Sequence, residues 1–94
     1  MDLKELKVFK KDERGVIYDC GKVKFIARDK GTISADHTHD EFEILYLLKG
    51  KIELTIGDET KIVEAPIEIT IQPNEYHRLL ALSDFELIGD REGE

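Results

Sequence analysis

The stretch Lys51-Ile52-Glu53-Leu54-Thr55-Ile56-Gly57-Asp58-Glu59-Thr60 decides how the chain folds. Ile52, Leu54 and Ile56 alternate with Lys51, Glu53 and Thr55. Successive side chains of a strand point to opposite faces, so this is a strand with one apolar and one polar face. Gly57-Asp58-Glu59-Thr60 reads as a hairpin turn, and Lys61 to Glu64 returns beside the first strand.

Working outward towards the C-terminus, Ala65-Pro66 breaks the ladder, because proline lacks an N–H to donate. Ile67-Glu68-Ile69-Thr70-Ile71 then alternates again, with its isoleucines on one face. Gln72-Pro73-Asn74-Glu75 is a tight loop that delivers His77, and Leu79 and Ala81 share the parity of His77. Phe85 to Ile88 is the closing strand. Towards the N-terminus, Lys49-Gly50 is a turn, and Phe42 to Leu48 is the most apolar strand. That strand is apolar on both faces, so one face lines the interior and the other meets a second sheet or a second subunit. Val16 to Tyr18 and Val23 to Ala27 make two further strands, and residues 1 to 10 give an edge strand. Many short strands with turns about every 8 to 12 residues, and no long helix, predict an all-β sandwich or barrel. Residues 1–94 form one domain in this reading, with 89–94 a polar tail expected to fray.

Fourteen Lys and Arg against 21 Asp and Glu give a formal net charge of -7. A phosphate-backbone partner is therefore not expected, since nucleic-acid binders carry basic patches. The longest apolar run, Ile44 to Leu48, is far short of the roughly 20 residues of a membrane-spanning helix. Cys20, the single cysteine, cannot close an intrachain disulfide and reads as a small, partly buried residue without chemistry. With no secretory leader visible at Met1, a cytoplasmic location is expected. A chain of 94 residues buries only about 60 to 65 per cent of its unfolded surface, so a metal or a second subunit would be a useful source of stability.

The three histidines of the chain are His37, His39 and His77. If residues 37 to 43 run as an extended strand, His37, His39 and Glu43 project to one side. With His77 from a distant strand they make a nitrogen and oxygen ligand set. It suits a divalent first-row transition ion (iron, manganese, nickel or zinc) better than magnesium or calcium. Four protein ligands on an octahedral ion leave two positions for a small organic ligand, whereas zinc with the same four would close its shell. Because an imidazole ligates only when neutral, affinity should fall below roughly pH 6.5.

These residues also carry a resemblance. Gly31, five residues, His37-x-His39, three residues, Glu43, six residues and Gly50 reproduce the first motif of the cupin superfamily. Pro66 to His77 resembles the second motif, with Pro66 and Asn74 standing for its glycines and Gln72 for its proline. Asn74 can keep the turn, because asparagine tolerates the left-handed region better than other non-glycine residues. The resemblance covers roughly residues 22 to 88, with 1–21 as N-terminal strands. It implies a small double-stranded β-helix, or jelly-roll barrel, binding one divalent metal through His37, His39, Glu43 and His77. It also implies a homodimer paired through outer faces or exchanged N-terminal strands.

The family spans dioxygenases, sugar isomerases and epimerases, decarboxylases and proteins that only bind ligands. Expected here is a metal site open to a small organic molecule, as in an oxygenase or isomerase. The alternative is a non-catalytic binding or sensing module with a structural metal. Nucleotide-sugar ketoisomerase or epimerase chemistry is a third reading, suggested only by Asp12-Glu13-Arg14-Gly15. Of the residues around the ligands, Tyr46 has the wrong parity to face a metal beside Glu43. Asp36, Asp40 and Glu41 read as solvated or supporting groups, and Tyr76 and Arg78 as surface residues near the barrel mouth.

Overall fold

The computed structural model describes residues 1–38 and 40–90. Its elements are ten strands: β1 (Lys7–Asp12), β2 (Gly15–Asp19), β3 (Lys24–Arg28), β4 (Ile33–His37), β5 (Glu43–Lys49), β6 (Lys51–Ile56), β7 (Glu59–Glu64), β8 (Ile67–Ile71), β9 (His77–Ala81) and β10 (Phe85–Gly89). They form a six-stranded sheet in the order β1-β2-β3-β10-β5-β8 and a four-stranded sheet in the order β4-β9-β6-β7. Every pairing is antiparallel. The all-β architecture expected from the alternation, and the jelly roll implied by the resemblance, are the fold observed. No helix among the described residues is long and apolar enough to cross a membrane.

The core follows from strand parity. In the larger sheet, Ile17, Ile26, Leu87 and Leu47 lie in register across four neighbouring strands, and all are buried. Ile52, Leu54, Leu79 and Ala81 answer from the smaller sheet. Burying such side chains stabilises the fold by about 1.5 to 3 kcal/mol each before the entropy of ordering them is subtracted.

Several local expectations need correction. Ile67, on the same face as the buried Ile69 and Ile71, is 40% exposed because it is the first residue of the edge strand β8, and Ile56 is only partly buried. Cys20 is exposed, since the β2–β3 turn projects from the sheet. Gly89 belongs to β10 and is buried, so the expected tail begins later; residues 91–94 lie outside the described residues. β1 is an edge strand as expected, yet it adds no core, because only Asp12 of its residues is even partly buried.

Candidate metal centre

β4 ends on His37, β5 begins on Glu43 and β9 begins on His77. Thr38 and residues 40 to 42 are not strand, which corrects the premise that 37 to 43 runs extended. Parity along one strand therefore does not bring these residues together; the meeting of two sheets does. His37 and His77 are register partners on β4 and β9 in the smaller sheet, while Glu43 reaches over from the larger. His39 lies outside the described residues, and so its expected place in the ligand set does too.

His77 and Glu43 are fully buried, and His77 Nε2 stands 3.6 Å from Glu43 Oε1. That separation is too long for a hydrogen bond. It does fit two ligands of one ion, because bonds of about 2.0 to 2.2 Å place neighbouring donors roughly 3 to 4 Å apart. The Nδ1 of His77 lies 3.2 Å from the carbonyl oxygen of Glu75. With the proton on Nδ1 donated to that carbonyl, Nε2 keeps its lone pair and faces Glu43, the arrangement typical of a ligating histidine. The ring of His37 meets that of His77 edge-on, with centroids 4.9 Å apart and planes at 90°. Among the described residues no group of three or more His, Cys, Asp or Glu is close enough to hold an ion. The buried pair thus fits a divalent metal as far as two donors can.

The strand leading to His37 is irregular. Ala35 and Asp36 take positive φ angles of 68° and 54°, and the β4–β9 register slips between Ala35 and His37. Non-glycine residues pay roughly 1 to 2 kcal/mol each for that conformation, less for aspartate. This bulge turns His37 back towards His77. Opposite, the loop before His77 is closed by Gln72 N–H donating to Glu75 Oε1 at 3.0 Å, and Asn74 sits at φ 64°, as its motif position suggests.

Tyr76 donates its hydroxyl proton to Asp36 Oδ1, and the neighbouring carboxylate holds its phenol above the usual tyrosine range. Sequence reasoning left Tyr76 on the surface; no local signal links two residues 40 apart. Arg78 lies 3.8 Å from Glu53. Tyr46 points away from the centre, 45% exposed, with its phenol likewise held up by Glu68. Asp40 and Glu41 are exposed. Asp12 and Arg14, the pair behind the nucleotide-sugar reading, bind each other across a tight turn at 2.8 Å.

Comparison with known proteins agrees with this architecture. The Cupin domain family model matches residues 25–88. No curated protein matches the chain. Among solved structures, an RmlC-like cupin from Shewanella frigidimarina superposes with a TM-score of 0.67 at 21% identity, over 71% of this chain and 60% of that one. The capsular polysaccharide assembling protein CapF from Staphylococcus aureus gives a TM-score of 0.72 at 19% identity, over 93% of this chain and 27% of that one. Salicylate 1,2-dioxygenase from Pseudoaminobacter salicylatoxidans, in complex with gentisate, gives 0.67 at 16% identity, over 78% and 19%. The chain thus spans less than two thirds of each of these three proteins, and at such identities the likeness is one of fold. With ten strands in two antiparallel sheets and a family match over most of its length, the chain belongs to the cupin domain family.

Proposed function

We propose that this chain is a metal-binding cupin in which His37, His39, Glu43 and His77 hold one divalent transition ion open to a small organic ligand. The observation that carries the reading is the buried His77–Glu43 pair, 3.6 Å apart across the two sheets, with His77 Nδ1 directed at a backbone carbonyl. A carboxylate and an imidazole buried side by side are both donors that a divalent cation takes, and its charge would favour the ionised carboxylate. Bound there, the ion would polarise a carbonyl or hydroxyl oxygen, or supply redox chemistry if it is iron. Glu75 would hold the His77 tautomer through its carbonyl, and the apolar neighbours would keep water out.

A groove of about 210 Å³ lies between β7 and β8, an edge strand of each sheet; none of His37, Glu43 and His77 lines it, and in this reading it would limit ligand size. Its lining includes Ile56 and Thr70, and Ile56 is the register partner of His77, so one end lies beside the candidate centre. A molecule of about one ring with a short substituent fills that space. The oxygenase or isomerase reading needs proton-transfer groups as well. One observation favours instead a module that binds without turnover: Leu45, Ile71 and Leu79, buried neighbours of the pair in sequence or register, are all apolar.

A second copy of the chain is the proposed partner. Val8, Tyr18, Phe25, Ile88 and Tyr46 lie in register on the outer face of the larger sheet, and Tyr46 and Leu48 are 45% and 47% exposed. A row of that kind, with no strand of the described residues over it, suits an isologous contact. Tyr46→Glu should convert a dimer to a monomer in light scattering; a native protein that is already monomeric would end this part of the proposal. For the metal, elemental analysis of protein purified without a histidine tag should find about one ion per chain, absent from His37→Ala and His77→Ala. Turnover of a panel of small ligands with iron, manganese, nickel or zinc would favour the enzyme, and tight binding without turnover the module.

A further inference from the structure

Asp36 immediately precedes His37 and sits in the bulge, at φ 54°. Tyr76 immediately precedes His77 and donates its hydroxyl to Asp36 Oδ1. Its backbone is held as well, because the Tyr76 carbonyl accepts from Gly57 N–H at 2.8 Å, anchoring it to the β6–β7 turn. One hydrogen bond thus joins the residue before one candidate ligand to the residue before the other, across a register slip the two strands do not bridge with regular pairing. A backbone in the left-handed region persists only where surrounding contacts over-determine it. The Tyr76 hydroxyl is such a contact.

From this we infer that the Tyr76–Asp36 hydrogen bond is a tether that fixes His37 relative to His77, making both residues positioning residues for the metal centre. The inference rests on the metal reading above. Without the tether the bulge can relax, and His37 swings on a longer lever while His77 stays fixed by Glu75. The ion then keeps most of its ligands but loses the pre-set spacing that slows its release, as when other outer partners of metal ligands are removed.

The test uses the full chain loaded with zinc and challenged with a chromogenic chelator. Tyr76→Phe and Asp36→Ala should each release zinc about tenfold faster than native. Asp36→Asn, which keeps an oxygen acceptor, should stay within about twofold, and the double variant Tyr76→Phe with Asp36→Ala should be no faster than either single one. Asp36→Gly separates strain from tether, since glycine accepts the positive φ freely but offers no acceptor; it should release as fast as Asp36→Ala. Native rates in Tyr76→Phe and Asp36→Ala would overturn the inference, as would a native rate in Asp36→Gly.

A metal-free arm keeps the two readings apart. In the apo protein, Tyr76→Phe should shift or broaden the His37 ring resonances more than those of His77, whose ring His37 meets edge-on. Unchanged His37 resonances would overturn the tether. Should native protein take up no zinc, the metal reading falls alone, and these spectra decide whether the tether stands.

Discussion

The two ends of the barrel are built on different principles, although one stretch of sequence, Gly31 to Gly50, supplies both. At one end β4 stops on His37, β5 starts on Glu43, and ionisable groups are buried together. At the other, Gly31 precedes β4 and Gly50 follows β5, and the closure is mostly backbone. Gly31 N–H donates to Ala81 O at 2.8 Å, Lys30 N–H to Asp84 Oδ1 at 2.8 Å, and Lys51 N–H to Ser83 Oγ at 3.0 Å. A side chain on Gly50, at φ 100°, would put its Cβ 2.3 Å from Asp84 O. The spacing of the motif therefore has a physical meaning: five residues from Gly31 to His37 and six from Glu43 to Gly50 are strand lengths that join the two ends. If its glycines serve the fold and its histidines and Glu43 the proposed metal site, the two ends should fail separately.

The largest effect expected is at the ligand end. Glu43→Gln keeps the shape of the side chain and removes its charge; it should abolish ion uptake while metal-free protein still folds, because one costly buried charge has gone. A metal titration followed by elemental analysis checks this, and retention of the ion would break the contrast.

Next comes Gly50→Ala, which should cost about 3 kcal/mol in denaturant unfolding, since it combines a backbone clash with a disfavoured φ. Any fraction still folded should hold its ion normally. Gly31→Ala should cost only about 1 kcal/mol, because φ there is 88° but nothing lies within 4 Å of the added Cβ. Equal losses at the two glycines would mean that close packing at Gly50 is not what distinguishes them.

The smallest effect concerns acid. Hydrogen bonds from Arg14 hold the Asp12 carboxyl down at about 2, below its ordinary 3.8. A depressed carboxylate contributes stability that is full above the ordinary value and lost as pH falls through the lowered one. Asp12→Asn should therefore melt slightly below native at pH 5 to 7, with the difference vanishing as pH approaches 2. A gap that is constant with pH would mean the pair acts through packing alone.

Most of the fold was legible because strand parity is a local property. Ile52, Leu54 and Leu79 could be assigned inward from alternation alone, and all three are buried. Asn74 could be placed at a left-handed turn from its motif position, and φ is 64°. Where the reading failed, the cause was not local. Ile67 alternates like Ile69 and Ile71, yet it alone of the three is exposed, because it opens β8 at a corner of the sheet that only the strand order reveals. His37 and Glu43 were grouped for the wrong reason. They share parity in sequence, but they approach from different sheets, and His37 does so through a bulge at Ala35 and Asp36, where no glycine marks the left-handed backbone. The Tyr76–Asp36 contact joins residues whose neighbours in sequence give no hint of each other.

Metal content is the most direct test of the claim that the ligand end is a functional centre and the glycine end its scaffold. Protein purified without a histidine tag, and analysed for transition metals beside His77→Ala and Gly31→Ala, should show about one ion per chain in the native protein and in Gly31→Ala, and none in His77→Ala. No ion in the native protein after exposure to iron, manganese, nickel and zinc, or an ion retained in His77→Ala, would contradict it.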